Sequence, residues 1–313
     1  MIKEETIMKE PVIKVNEFRK TYGDFVAVNG ISFEVHEGEI FGLLGPNGAG
    51  KTSTLECLEG LRTPDGGSMR VAGVDPSREP IKLSSVIGVQ LQSGSLPPSI
   101  TPREAMNLFC AYHNVAPRTD LLERLGMNGK INKQFFQLST GQQRRLALAL
   151  AVVHAPRVIL LDEPTAGLDV ESRVELHALI RELQAKGTTI ILATHDMAEA
   201  ETLADRVAIL LGGKIAAIDT PVALTARGGG LTKISVSTEQ ASLSKSRIEF
   251  PFVQKQAASN GYQIYFSDNI GPTVSAIIAH VETQHDTLVD LRVERPSLED
   301  RFLEITTSNG GSK

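Results

Sequence analysis

Short apolar runs alternate with amphipathic stretches along most of the chain. Ile40-Phe41-Gly42-Leu43-Leu44, Val158-Ile159-Leu160-Leu161 and Thr188 to Thr194 are almost continuously apolar. Unbroken runs of this length are expected of strands buried on both faces of a parallel sheet. Between the last two runs, Leu176, Leu179, Ile180 and Leu183 recur at i, i+3, i+4 and i+7, with Gly187 beyond, which predicts an amphipathic helix and its stop. Val12–Val15, Ile31–Val35, Ser68–Val71 and Ser85–Gln92 read as further strands, and Arg206–Leu211 with Lys214–Ile218 as a hairpin over Gly212-Gly213. Thr101 as cap with Pro102 at the first position opens a helix, and mainly short helices follow to about Gln137. Ser139 with Gln142 forms a capping box for a helix running through Leu146–Val153. Asp196 with Glu199 caps another. Buried strands alternating with helices predict an α/β fold.

Beyond Arg227-Gly228-Gly229-Gly230, a linker by composition, the texture changes. Lys233–Ser237, Tyr262–Phe266 and Thr287–Glu294 read as strands, Thr273–Glu282 as a helix, and Pro296 opens a last helix to about Ile305. This places one domain at 1–226 and a small α+β domain without a catalytic cluster at 227–313.

The 313 residues carry a net charge of −5, with 41% hydrophobic and 22% charged residues. That is ordinary globular composition, and no nucleic-acid partner is expected of an acidic chain. Cys57 and Cys110 lie far apart in no metal-like spacing, which suits a reducing compartment. Met1–Glu10 lacks the apolar core of a signal peptide. The longest apolar run, Leu146–Val153, is too short to span a bilayer. Work at a membrane would need another polypeptide to do the spanning.

Candidate chemistry clusters at the ends of the apolar runs. Gly45-Pro46-Asn47-Gly48-Ala49-Gly50-Lys51-Thr52, followed by Ser53, joins the run at Ile40–Leu44 to a helical pattern. This G-x-x-x-x-G-K-T spacing suits a loop whose backbone N–H groups wrap phosphate, with Lys51 reaching the β- and γ-phosphates and Thr52 ligating Mg²⁺. Asp162 and Glu163 follow a buried strand, where unpaired charge is costly unless used. Asp162 suits a carboxylate directed at Mg²⁺, and Glu163 a general base on an attacking water. His195 ends another strand and could donate to a phosphate, although a lone histidine is more often structural. Ser139 is either a helix cap only or part of a second anion site at a helix N-terminus. Tyr22 could stack on a base or sit half-buried at a strand end. Gln90 and Gln92 share one face at period two, so alternation does not choose between them.

Taken in order, these pieces resemble the ATP-binding subunits of ABC transporters over roughly Val12 to Leu224. GPNGAGKT looks like the Walker A loop, IGVQLQ the segment ending in the Q-loop glutamine, LSTGQ the LSGGQ signature, VILLDEP the Walker B strand, AGLD the D-loop and ATHD the switch-histidine segment. The match favours Gln92 over Gln90 and puts Tyr22 where the family stacks adenine. Thr140 departs from the commoner glycine, which bears on fine geometry while Ser139 and Gly141 are retained.

The resemblance implies a P-loop NTPase core with a RecA-like parallel sheet, an antiparallel β subdomain and an inserted α-helical subdomain at about 93–154, plus the C-terminal α+β accessory domain. It implies that Gly45 to Ser53 hold ATP, that Thr52, Gln92 and Asp162 hold Mg²⁺, and that Glu163, His195 and Gln92 serve hydrolysis. Ser139, Gly141 and Gln142 would act on the ATP of a second subunit, with Asp169 at the interface. The tail RPSLEDRFLEIT, around Arg295 to Thr307, resembles the extension of the daunorubicin-resistance type. That implies an export subunit on the cytoplasmic face of the membrane, held by a separate multi-spanning permease and paired as a homo- or heterodimer. A soluble ABC ATPase without a transport role, a P-loop kinase and an inactive binding module are the competing readings. A single Walker A loop, the LSTGQ segment and the full set of Lys51, Asp162, Glu163 and His195 count against each in turn.

Overall fold

The computed structural model describes residues 11–92, 96–227, 231–244, 249–259 and 261–309. Met1–Glu10 and the glycines of the expected linker, Gly228–Gly230, lie outside the described residues. The chain divides into two compact units, one ending at Pro221 and one beginning at Val222.

The first unit opens with β1 (Pro11–Tyr22) and β2 (Phe25–His36), then β3 (Ile40–Leu44), α1 (Lys51–Leu58), β4 (Gly66–Val71), α2 (Pro80–Val86) and β5 (Ile87–Gln90). Two helices, α3 (Pro102–Tyr112) and α4 (Thr119–Arg124), lead to α5 (Thr140–Ala151). Then come β6 (Val158–Asp162), α6 (Val170–Ala185), β7 (Thr189–Thr194), α7 (Met197–Leu203) and the hairpin of β8 (Arg206–Leu211) and β9 (Lys214–Asp219). The helix α8 (Pro221–Arg227) begins at the boundary and lies almost wholly in the second unit; the sequence reading has no element there.

Two sheets form. Strands β2-β1-β4 make a three-stranded antiparallel sheet, and β5-β6-β7-β3-β8-β9 a six-stranded one, parallel except for β9. Every residue of β3, β6 and β7 is buried, as expected of the unbroken apolar runs. α1 contacts β2 and β4 of one sheet and β6 and β7 of the other. One core cluster accordingly joins Phe18, Val28 and Val71 to Leu55, Phe41 and Leu160.

The first hairpin is longer than its alternation predicts. β1 continues through Phe18–Tyr22, but its pairing with β2 slips between Val15 and Phe18, and Glu17 sits at φ 46°. The bulge breaks the two-residue period and shifts which residues face the core. Ser85–Gln92 is also shorter as a strand than expected: α2 occupies the chain to Val86, and Gln92 lies past the end of β5. The capping boxes at Thr101–Glu104 and Ser139–Gln142 are both formed.

Close backbone packing fixes β5. A β-carbon on Gly88 would press into the carbonyl oxygen of Ala151 and lie 3.1 Å from Pro156 Cγ. Gly88→Ala therefore forces the end of α5 away from the sheet. We expect a loss of about 1–3 kcal/mol, measurable as a lower urea midpoint with an unchanged slope.

The second unit holds β10 (Thr232–Thr238), β11 (Val253–Ser259), β12 (Tyr262–Ser267), α9 (Ile270–Thr283), β13 (Leu288–Glu294) and α10 (Leu298–Asn309). Its antiparallel sheet has the order β11-β12-β10-β13. Ile234, Val236, Tyr265, Ile277 and Val281 form its core. β11 has no apolar alternation and is almost wholly exposed, which is why the sequence does not announce it.

Candidate nucleotide site

Sheet register brings the candidate residues to one edge. Leu44 pairs with Thr194, Asp162 with Ala193 and Gln90 with Leu161. The residues just beyond these parallel strands, Gly45, Glu163, His195 and Leu91, therefore emerge together at the carboxyl edge, where open α/β sheets bind ligands.

The loop after β3 is built to leave N–H groups free. The residue before α1, Gly50, has φ 103° and supplies no side-chain cap. A β-carbon there would lie 2.7 Å from Ala27 O and 2.9 Å from Val28 Cγ2, so both the dihedral and the space require glycine. An uncapped helix start with Gly48 and Gly50 in left-handed conformations is suited to an anion. Lys51 is buried, and its Nζ donates to Gly45 O at 2.7 Å and Pro46 O at 3.1 Å. Burial lowers its pKa, opposed by the charges of Glu163 and Asp162.

Thr52 Oγ1 donates to Asp162 Oδ2 at 3.2 Å, while the buried Asp162 Oδ1 has no hydrogen-bond partner. Burial raises the Asp162 pKa, and the Thr52 hydrogen bond opposes that. An orphaned carboxylate oxygen beside a threonine hydroxyl is a donor set that fits a hard divalent cation. The first two steps beyond β6 are equally specific. Glu163 sits at φ 47°, a left-handed conformation costing an ordinary residue about 1–2 kcal/mol. The turn sets its carboxylate between two neighbours: Gln92 Nε2 donates to Oε2 at 3.0 Å, and His195 Nδ1 lies 2.8 Å from Oε1. With a carboxylate as acceptor, Nδ1 carries the proton in this contact.

A cleft of about 160 Å³ is lined by Tyr22, Asn47, Gly48, Gly50, Lys51, Thr52, Ser53, Gln92 and Glu163, joined by Phe25 and Ala27. Tyr22 Oη reaches Ser53 Oγ at 3.4 Å, and its ring carries the cations of Lys20 and Arg62 at 5.5 and 5.7 Å. Pro46 and Ala49 shape the loop behind the cleft, with Ala49 N donating to Pro46 O. Phe25 is the residue that sequence reasoning missed. Its signal is an exposed aromatic just after the Gly23-Asp24 turn.

Ser139, Gly141, Gln142 and Asp169 do not line this cleft. Ser139 Oγ accepts from Gln142 N and Gln142 Oε1 from Ser139 N. Asp169 caps α6 by accepting from Ser172 N at 2.8 Å and from Ser172 Oγ. A β-carbon on Gly141 would lie 2.7 Å from that same Ser172 Oγ. The segments at Ser139–Gln142 and at Asp169–Ser172 thus abut one another, as a group separate from the cleft. Gln90 is buried with both side-chain polar atoms unpartnered, so it is Gln92 that reaches Glu163.

A family model described as "ABC transporter" matches residues 28–166. The chain is 36% identical over 310 residues to the Nod factor export ATP-binding protein I of Paraburkholderia xenovorans, covering 96% of this chain and 98% of that protein. It is 34% identical to the daunorubicin resistance ATP-binding protein DrrA2 of Streptomyces coeruleorubidus, covering 94% of each. Among solved structures, a dimeric bacterial ABC transporter cassette superposes with a TM-score of 0.61 at 28% identity, covering 66% of this chain and 98% of that one. This likeness along nearly the whole chain makes the protein a member of the ABC transporter family, an ATP-binding subunit with ATPase activity.

Proposed function

We propose that this chain is the ATP-hydrolysing subunit of an exporter, working on the cytoplasmic face of a membrane with a separate permease. The observation that carries the reading is Glu163. Its carboxylate is suspended between Gln92 and His195 at the mouth of a cleft lined by the phosphate loop. Asn47 to Ser53 hold the triphosphate through backbone N–H groups, and Lys51 exchanges its loop carbonyls for phosphate oxygens. Tyr22 and Phe25 offer flat faces to the base. Thr52 and Asp162, with Gln92, would hold Mg²⁺, which would supply charge neutralisation on the phosphate oxygens. Glu163 takes the proton of the attacking water and His195 donates to the γ-phosphate, so positioning and charge supply most of the acceleration.

The separate group at Ser139, Gly141 and Asp169 implies a second subunit placed head to tail, its signature segment covering the ATP of its partner. The Ser139 hydroxyl and the start of α5 would then face the γ-phosphate. Whether the partner is a second copy or another ATPase, the lid arrives only on closure. Export is supported by the relatives that this chain matches from end to end, whose names are those of export and resistance proteins. No helix among the described residues is long and apolar enough to cross a membrane, which is compatible with a separate permease. The boundary near 226, with an ATPase core before it and an accessory domain after it, belongs to the same proposal.

Purification of the tagged chain from membranes tests this reading. Retention of a multi-spanning protein, with ATPase activity that rises in its presence, is the expected result. A chain that stays entirely in the soluble fraction with only soluble partners overturns the exporter assignment.

A further inference from the structure

A buried carboxyl group close in sequence to the nucleotide site has no part in the mechanism above. Glu199, on α7, is 1% exposed. Its Oε1 accepts from Thr165 Oγ1 at 2.7 Å, and its Oε2 has no hydrogen-bond partner. His177 Nε2 of α6 lies 3.5 Å from Oε1 and makes no hydrogen bond. Thr165 is itself buried. A carboxyl group out of water with half of its acceptors unused is costly. For packing alone, an apolar pair of the same shape would serve as well. The pair therefore calls for a role that depends on its one hydrogen bond.

The two partners lie on the two segments that carry Glu163 and His195. Thr165 comes two residues after Glu163, and Glu199 four residues after His195. Glu163 leaves β6 in its left-handed conformation, and the turn is closed by Ala166 N on Glu163 O at 3.2 Å and Leu168 N on Thr165 O at 3.1 Å. Thr165 is thus part of the turn that aims the Glu163 carboxylate. On the other segment, Asp196 follows His195 and caps α7 by accepting from Glu199 N at 3.0 Å. Its second oxygen accepts from Arg173 of α6 at 3.0 Å. Glu163 and His195 meet at 2.8 Å, and the Thr165–Glu199 hydrogen bond joins the same two segments a few residues further along each.

We propose that Glu199 is a positioning residue for ATP hydrolysis, acting through Thr165 to hold the turn of Glu163 in register with the His195 segment. The proposal rests on the reading of Glu163 as the base and adds what keeps it in place. To take a proton from water, Glu163 must free an oxygen that now faces His195 or Gln92. The contact between Glu163 and His195 is then loosened, whereas the Thr165–Glu199 bond is out of water and persists. A shift of about 1 Å in a catalytic group costs up to about 10²-fold in rate. Glu199 is needed only as an acceptor, so the amide oxygen of glutamine can take its place.

Steady-state ATPase assays on the full-length chain test this. Glu199→Leu and Thr165→Val each remove the hydrogen bond, and each should lower kcat by about tenfold or more while the KM for ATP stays within about twofold. Glu199→Gln and Thr165→Ser keep the bond and should restore kcat. The Glu199→Leu/Thr165→Val double variant should be no slower than the slower single one. In a Glu163→Gln background, Glu199→Leu should leave the residual hydrolysis unchanged, because the group it positions is already gone. A packing role alone predicts a further loss in that background. Such a loss overturns the proposal, as does wild-type kcat in Glu199→Leu or a fall in Glu199→Gln as large as in Glu199→Leu. Where Glu199→Leu does not fold, Thr165→Val against Thr165→Ser decides, and equal kcat in the two overturns it. Near-wild-type turnover in Glu163→Gln alone overturns the base reading, and this proposal with it.

Discussion

Glu163→Gln leaves ATP bound and stops its hydrolysis. The expected fall in turnover is about 10²–10⁴-fold, the range set by removal of a positioned general base. Glutamine keeps the volume and the left-handed turn at φ 47°, so the loop after β6 should hold its course. It changes the hydrogen bonding in a definite way. The carboxylate accepts from Gln92 on one oxygen and from His195 on the other; an amide has one acceptor oxygen and must turn its NH₂ toward one of them. The phosphate loop and Asp162 are untouched, so nucleotide affinity should remain within a few-fold of wild type. Bound ATP that is not consumed should also trap the closed pair of subunits, seen as an ATP-dependent dimer in size-exclusion chromatography. Turnover within a few-fold of wild type would remove Glu163 from the role of base.

Both oxygens of Glu163 are occupied in this structure. A carboxylate held by Gln92 and His195 cannot also orient water freely on both oxygens. Gln92 lies just beyond β5, and the next carbonyl back, Leu91 O, accepts from Arg144 of α5 at 3.3 Å. α5 begins at the signature segment. Arg144 thus ties α5 to the chain at Leu91-Gln92, beside the hydrogen bond that Gln92 makes to Glu163.

The parts of this arrangement visible in the sequence are those that depend on local rules. Fully buried strands read as unbroken apolar runs, and caps read as Ser, Thr or Asp three residues before Glu or Gln. The glycine-rich loop is legible because only glycine has the dihedrals and the space, as the contacts of Gly50 with Ala27 and Val28 demonstrate. The parts that stayed hidden depend on tertiary context. The bulge at Glu17 interrupts the alternation that would have extended β1 to Tyr22. Gln90 and Gln92 are equivalent by period, and only the end of β5 at Gln90 separates a buried residue from one that reaches Glu163. β11 pairs with β12 through its backbone alone and carries no apolar face to announce it. Phe25 looks unremarkable in sequence because its meaning comes from the phosphate loop that lines the same cleft.

Lys51→Met should fail one step earlier than Glu163→Gln, at nucleotide binding. Lys51 lies buried with its ammonium on Gly45 O and Pro46 O, which keeps a costly buried charge satisfied in the absence of phosphate. Those two carbonyls can be given up when phosphate oxygens arrive, so the side chain switches acceptors within the same loop. Methionine matches the length of the stem and carries neither charge nor donor. A hydrogen bond to a charged group is worth about 1.5–3 kcal/mol, and 1.4 kcal/mol is a factor of ten, so ATP affinity should fall by about 10- to 100-fold. Hydrolysis should fall further, because charge developing on the phosphate in the transition state loses its nearest cation. The burial of an apolar stem at this position should leave the melting temperature nearly unchanged, separating the effect from unfolding. Fluorescent-nucleotide titration measures the affinity. Mixing the two variants then tests the shared site. A Lys51→Met chain keeps Ser139 and Gly141 and can still cover the ATP held by a Glu163→Gln partner, so an ATP-dependent mixed dimer should form, whereas Lys51→Met alone should remain monomeric. Wild-type affinity in Lys51→Met would show that the triphosphate does not lie against this lysine.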